Sequence, residues 1–435
     1  GTRVSFVDRE RLDRLQAIQS LLPLEQVIAT RCEELPEGVI DFQSLLADAP
    51  VDLVLPEVTI RPDDPATLFY TSGTTGFPKG TLGSQRNFCG VALTMAYNGV
   101  RGLLRMGGSL ADLEMIQQVP QVALLTVPLF HVTGCHGIML SIFSSGGKLA
   151  MSYKWDPAEA LDLIEREKVT IFGGVPTMIR QLLDVPDIEQ RDLSSILNLG
   201  YGGAPAPPEL LRKIQSTLPA SGASNGWGIT ETSAPITAIS GQDYAEKPDS
   251  VGRPFPIIDV KVVDEAGEEV AADELGELWV RGPNVVKGYW NKPEATADSF
   301  SEGWFHTGDV GRIDEDGYVY IVDRIKDMII RGGENIYCAE VEAALVEHPQ
   351  VNAACVFGTH HEVLGEEVAA VVEVSPDASV DVDELRSHAG ARLAKFKLPS
   401  RIWIHDEPLP LGATGKVQKK ELKRFYQSQL ERGDG

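Results

Sequence analysis

Cysteine is scarce in this chain of 435 residues: there are five, Cys32, Cys89, Cys135, Cys338 and Cys355, far apart and without a C-x-x-C pair. That odd, scattered set excludes a disulfide framework and a thiolate zinc site, and each reads as a small core residue. Basic charge is short as well, with 39 Lys and Arg against 63 Asp and Glu and a net charge of −24. A polyanion partner needs a dense basic patch to release counterions, and none runs along the chain, so no nucleic acid is expected. Long apolar runs are missing too. The longest stretch uncharged at its centre, residues 124–143, carries Pro128, His131 and His136 and reads as buried strand and loop, so no transmembrane segment is expected. No charged-then-apolar leader opens the sequence, which makes the cytoplasm the default location.

What is present is the composition of a globular protein, 43% hydrophobic and 23% charged, long enough for two or three domains. The start reads as part of a βαβ unit, with a strand at 4–7, Leu12, Leu15, Ile18 and Leu22 at helical spacing, and Val27-Ile28 beyond. Asp156 and Pro157 form the cap and first position of a helix reaching toward the strand 169–172. This alternation predicts an α/β architecture with parallel sheet. Short alternating segments at 260–262 and 277–280, around the turn residues Glu265-Ala266-Gly267, predict a β-rich subdomain over about 250–325. Beyond Asp323, helices at 339–347 and 382–393, strands at 351–357 and 367–374, and a last helix near Lys419 predict a small α+β domain. The expected division is 1–325 and 326–435. The glycine-bearing stretch 99–121 reads as irregular loop or frayed helix end.

The strongest chemical signal is Tyr70-Thr71-Ser72-Gly73-Thr74-Thr75-Gly76-Phe77-Pro78-Lys79-Gly80, directly after an apolar run. Glycines that permit close backbone approach, four hydroxyls and one lysine are what a phosphate ligand needs. It is not a Walker A loop, because Pro78 and Gly80 flank the lysine where that pattern wants Gly and Ser or Thr. The segment resembles the signature phosphate loop of the acyl-adenylate-forming (AMP-binding) superfamily, which includes fatty acyl-CoA synthetases. Further matches follow in that family's order, covering nearly the whole chain.

The resemblance implies a mechanism and a site. Thr71, Ser72, Gly73, Thr74, Thr75, Gly76 and Lys79 would hold the phosphates of ATP. His131, in Pro128-Leu129-Phe130-His131-Val132-Thr133-Gly134, would border the channel for the acyl group and the pantetheine of CoA. Gly202, Gly203 and Ala204 would meet adenine and the substrate carboxyl. Asn225, Gly226, Trp227 and Thr230 belong to the adenine motif, with Trp227 replacing the more frequent Tyr and keeping an aromatic face for stacking. Glu231 and the Thr74 hydroxyl would be the Mg²⁺ pair. Asp309, in Gly303-Trp304-Phe305-His306-Thr307-Gly308-Asp309, would take the ribose hydroxyls, and Arg324 would reach ribose or phosphate. Lys326 would be the pivot of a mobile C-terminal domain, Gly332, Gly333 and Glu334 would line the CoA tunnel, and Lys416 would be the adenylation lysine. A phosphate loop this early implies that an N-terminal segment of the large domain is absent, and Gln85 stands where many members have His.

The expected activity is therefore an acyl-CoA ligase acting on a small carboxylic acid, fatty or medium acyl, with ATP, Mg²⁺ and CoA; the resemblance also allows a homodimer. The competing readings are an adenylation enzyme that loads a carrier-protein thiol, an inactive nucleotide-binding homologue, and, weakest, a P-loop hydrolase that would release phosphate rather than AMP.

Overall fold

The computed structural model describes residues 2–50, 52–71, 78–105, 107–112, 118–203, 206, 208–375, 379–405, 407–412 and 415–432. The chain falls into two units, Gly1–Ile60 and Arg61–Gly435. The first is a three-stranded parallel sheet with Gln26–Ala29 between Val4–Val7 and Val39–Asp41. Its helix Arg9–Gln16 starts where the Asp8 side chain accepts the Arg11 amide, and it buries Leu12 against Val27 and Ala29.

The second unit is built around a seven-stranded sheet in the order Arg253–Pro254, Ala234–Ser240, Gly222–Ile229, Asn198–Gly202, Ile171–Gly174, Val122–Leu125, Lys148–Met151. The five strands from Gly222–Ile229 to Lys148–Met151 are parallel, as the strand-helix alternation predicts, and the other edge is antiparallel. Helix Pro157–Glu167 begins as expected: Asp156 accepts the Glu159 amide, Pro157 takes the first turn, and Leu161 and Ile164 are buried in one core with Phe172.

One expectation changes in part. Residues 124–143 are strand and loop only as far as 131: after Val122–Leu125 and that loop the chain winds into a π-helix, Thr133–Leu140. Gly134 permits this, because a Cβ there would stand 2.5 Å from the carbonyl oxygens of Val127 and Pro128. The stretch after Gly99 follows the helix-end alternative. Helix Gln85–Arg105 runs through Gly90, Gly99 and Gly102, its buried Val91 and Thr94 overriding the weak propensity of those glycines.

Beside this sheet, the strands Asp259–Val263, Gly276–Arg281, Trp304–Ile313, Phe300–Ser301 and Val319–Arg324 make an antiparallel sheet with its own core of Phe255, Val262, Leu278, Val280 and Val319. The last sheet pairs Ile329–Arg331, Glu334–Ile336, Val351–His361, Gly365–Val374 and Arg401–His405. Helices Cys338–Val346 and Val382–Gly390 cover one of its faces, and the final helix Lys419–Arg432 supplies Leu422 and Tyr426 to a second cluster with Phe357 and Val371.

Candidate active site

Asp309 lies on strand Trp304–Ile313 directly opposite Arg324 on Val319–Arg324, so antiparallel register alone sets the two side by side. The Arg324 Nε is 2.8 Å from Asp309 Oδ1, and the Trp227 indole N–H donates to Oδ2 at 2.8 Å. Thr307 shapes the approach: its hydroxyl donates to the Leu278 carbonyl and accepts the Asp309 amide, while Gly308, at φ +69°, gives its amide to Glu277. Burial raises the Asp309 pKa, and Arg324, the indole and the more distant Lys416 and Lys326 offset it. Trp227 itself is buried in the core of the β-rich part, so what it presents to the site is its indole N–H rather than the open stacking face expected.

Lys416 comes into the same cleft from the C-terminal end. A Cβ on Gly203 would stand 3.6 Å from its Cε and 3.7 Å from its Nζ, and the loop is pinned where the Thr177 hydroxyl donates to the Gly415 carbonyl. Lys416 is an exposed residue whose ammonium is nonetheless crowded by protein. That crowding, with the charges of Arg324 and Lys326, holds its pKa below the ordinary lysine range, and Asp309 pulls the other way. Lys326 is likewise lowered, by burial first and then by Arg324.

His131 sits close enough for Lys416 to act on it. Its Nδ1 accepts the Thr133 amide, which leaves the proton on Nε2, and burial together with Lys416 pushes its pKa down to about 4. The imidazole is therefore neutral at physiological pH and offers an N–H donor.

The backbone motifs explain themselves by close approach. A Cβ on Gly202 would stand 2.6 Å from the Gly226 carbonyl, and one on Gly226 would stand 3.0 Å from the Thr237 carbonyl, so neighbouring strands pack there only with glycine. Asn225 is buried, its side-chain oxygen accepting the Gly226 amide, and Thr230 opens the 3₁₀ turn Thr230–Thr232 that carries Glu231.

Glu231 accepts a hydrogen bond from the Tyr289 hydroxyl at 2.8 Å, and the Lys79 ammonium lies 4.8 Å from the centre of the same ring. Thr71 pairs in register with Lys79 across a two-stranded ribbon that leads into and out of the phosphate loop. Ser72, Gly73, Thr74, Thr75, Gly76 and Ala204 lie outside the described residues. Among the described residues no group of three His, Cys, Asp or Glu gathers to cage a metal, whereas one carboxylate such as Glu231 suits a Mg²⁺ whose other ligands are phosphate and water.

Not every expected residue joins this cluster. Gly332 and Gly333, at φ +60° and +89°, form the two-residue turn between Ile329–Arg331 and Glu334–Ile336, and with Glu334 they stand exposed. No described contact joins them to Lys416 or Asp309. Sequence reading missed Tyr289, Thr177 and Asp323. Only Asp323 had a signal, as a carboxylate directly before Arg324; it is buried and caps the helix Cys338–Val346 by accepting the Ala339 amide at 3.3 Å.

A carboxylate-held guanidinium, a lysine of lowered pKa and a neutral imidazole, gathered between a parallel α/β sheet and a small α+β domain, define a nucleotide-dependent group-transfer enzyme. The chain belongs to the AMP-binding enzyme family, ATP-dependent, AMP-forming acid-thiol ligases: the family model matches residues 1–290 and the AMP-binding enzyme C-terminal domain matches 340–416. A feruloyl-CoA synthase of Amycolatopsis sp is 38% identical over 85% of this chain and 72% of its own length. The 2-succinylbenzoate–CoA ligase of Geobacillus kaustophilus is 36% identical over 98% of this chain and 78% of its own. Among solved structures, ATP-bound MatB from Rhodopseudomonas palustris has a TM-score of 0.82 at 30% identity over 98% of this chain and 79% of that one. The anthranilate CoA ligase AuaEII, in complex with anthranoyl-AMP, reaches 0.86 at 26% identity, over 99% and 79%.

Proposed function

We propose that the chain joins a carboxylic acid with a predominantly apolar body to CoA, through an acyl-adenylate made from MgATP with release of pyrophosphate. The observation that carries this is the convergence of Lys416, the Asp309–Arg324 pair and His131 on one cleft. Asp309 accepts the ribose hydroxyls, Arg324 and Lys79 neutralise phosphate charge, and Lys416 bridges the attacking carboxylate and the α-phosphate. Glu231, with the Thr74 hydroxyl, would hold a Mg²⁺, which would supply further charge neutralisation at the phosphates. His131, neutral and with its Nε2–H free to donate, borders the acyl group without adding a positive charge beside Lys416. No protein nucleophile is required, because the chain orients the reactants and stabilises the charge that develops.

The acid is a fatty or medium-chain one on this reading. A long-chain-fatty-acid–CoA ligase of Bacillus subtilis is 38% identical over 82% of this chain and 61% of its own length, and the aromatic acids named for other relatives are the natural competitors. No described helix is long and apolar enough to cross a membrane.

A panel of octanoate, palmitate, ferulate and 2-succinylbenzoate, assayed for AMP and CoA thioester, tests both levels. Turnover with octanoate or palmitate supports the fatty-acyl reading; turnover confined to the aromatic acids overturns it and leaves the ligase chemistry standing. Release of phosphate in place of AMP overturns the chemistry.

A further inference from the structure

The Lys416 loop is a closed bracket. Leu411 and Val417 form an isolated bridge, the Gly412 amide donates to the Lys416 carbonyl at 2.8 Å, and the Gln418 amide donates to the Pro410 carbonyl at 2.8 Å. Such a bracket holds its own shape, and it is seated on the small domain at its entry, where the Leu409 amide donates to Glu373 at 2.8 Å and Leu409 and Val417 pack with Phe357 and Val371.

A second anchor, polar and nearer the lysine, stands at its exit. Lys419, the first residue of helix Lys419–Arg432 and three positions after Lys416, puts its ammonium 3.0 Å from Glu342 Oε1. The same carboxylate oxygen accepts the Val356 amide at 2.9 Å. Glu342 belongs to helix Cys338–Val346 and Val356 to strand Val351–His361, so one oxygen fastens the loop's exit to a helix and a strand of the small domain. Only 27% of the Lys419 side chain and 24% of the Glu342 side chain is exposed, and such partly buried ion pairs lose most when a single partner is removed. Burial works against the Lys419 charge, but the Glu342 carboxylate outweighs it and raises its pKa above the usual lysine value.

We infer that Glu342, acting through Lys419, is a positioning residue for adenylation: it aims the Lys416 ammonium and contributes nothing to thioester formation. This rests on the reading of Lys416 as the adenylation lysine. Both partners lie in the C-terminal part, so the strut travels intact when that part rotates. The Gly332-Gly333 turn has anchors of its own, where the Gly332 amide donates to the Leu364 carbonyl at 2.8 Å and the Ile330 amide donates to Glu366 at 2.9 Å. Slackening the strut therefore disturbs one working face of the domain and spares the other.

The variants are Glu342→Gln, which keeps an acceptor for Val356 but removes the charge, Lys419→Met, and Lys419→Arg as the conservative control. With octanoate or ferulate, ATP–pyrophosphate exchange is expected to fall roughly tenfold in the first two, the scale of a displaced reacting group. Thioester formation from supplied acyl-AMP and CoA stays within about twofold, because that step does not draw on Lys416. Lys419→Arg is expected to retain exchange. Acetylation of Lys416 by acetic anhydride, followed by mass spectrometry, needs no acid substrate and is expected to change in rate only in the first two variants. Equal loss in both half-reactions, or unchanged exchange with unchanged Lys416 labelling, overturns the proposal. Exchange that survives Lys416→Ala overturns the reading of Lys416 itself, an outcome distinct from failure of the strut.

Discussion

At the scale of single residues, the site is a set of charges whose values are set by neighbours. His131 is the clearest case. Its pKa of about 4 lies below the ordinary 6.5, so between those two values the unfolded chain binds a proton that the folded chain refuses. Stability contributed at this position is intact above pH 6.5 and is lost as the pH falls toward 4. His136, buried beside Phe69 and Phe88 with its Nδ1–H donating to the Ser233 carbonyl, is lowered too by burial, so its contribution is likewise lost as the pH falls below 6.5. The expected outcome is that His131→Gln flattens part of the acid limb in chemical denaturation curves measured from pH 7 to 4; an unaltered limb would count against the shift. The identity of these residues was legible in the sequence because short motifs carry them. Their partners were not. Trp227 and Asp309 are 82 positions apart on strands of different sheets, and no periodicity reports that an indole N–H will end on that carboxylate.

At the scale of elements, strands and helices with regular apolar spacing were readable, as at Pro157–Glu167 and Val351–His361. The π-helix Thr133–Leu140 was not, since its winding departs from both the strand period of two and the helical period of 3.6 on which such reading depends. The turn before Lys416 shows how finely an element can be tuned. Gly415 has φ +76°, and a Cβ on it would stand 2.9 Å from Met178 Cε and Val175 Cγ2. Gly415→Ala must then adopt a left-handed backbone, at a cost of about 1–2 kcal/mol, or shift the loop away from helix Pro176–Leu183. The expected result is adenylation slowed severalfold with little change in melting temperature, read by pyrophosphate exchange beside a thermal unfolding scan.

At the scale of the whole molecule, isolated polar contacts join the C-terminal part to the remainder of its unit among the described residues. Arg180 donates to the Val351 carbonyl at 3.1 Å, and Thr177 holds Gly415. If these contacts favour the arrangement in which Lys416 faces the cleft, Arg180→Ala should slow adenylation a few-fold and leave transfer from supplied acyl-AMP unchanged or faster. A uniform loss in both steps would argue that Arg180 serves stability alone. The existence of a separate C-terminal fold could be read from the texture of the sequence after Asp323. The arrangement it adopts could not, because the contacts that choose it are isolated hydrogen bonds rather than a patterned apolar face.

Arg324, the partner of Asp309, stands two residues ahead of Lys326. If Lys326 is the pivot of a mobile C-terminal domain, as the family resemblance implies, a nucleotide leaning on that pair bears on the fulcrum with almost no lever arm between them. Occupancy of the ribose site and the swing of the domain then become two readings of one gauge, and a tracer of domain angle would also keep time for the departure of AMP.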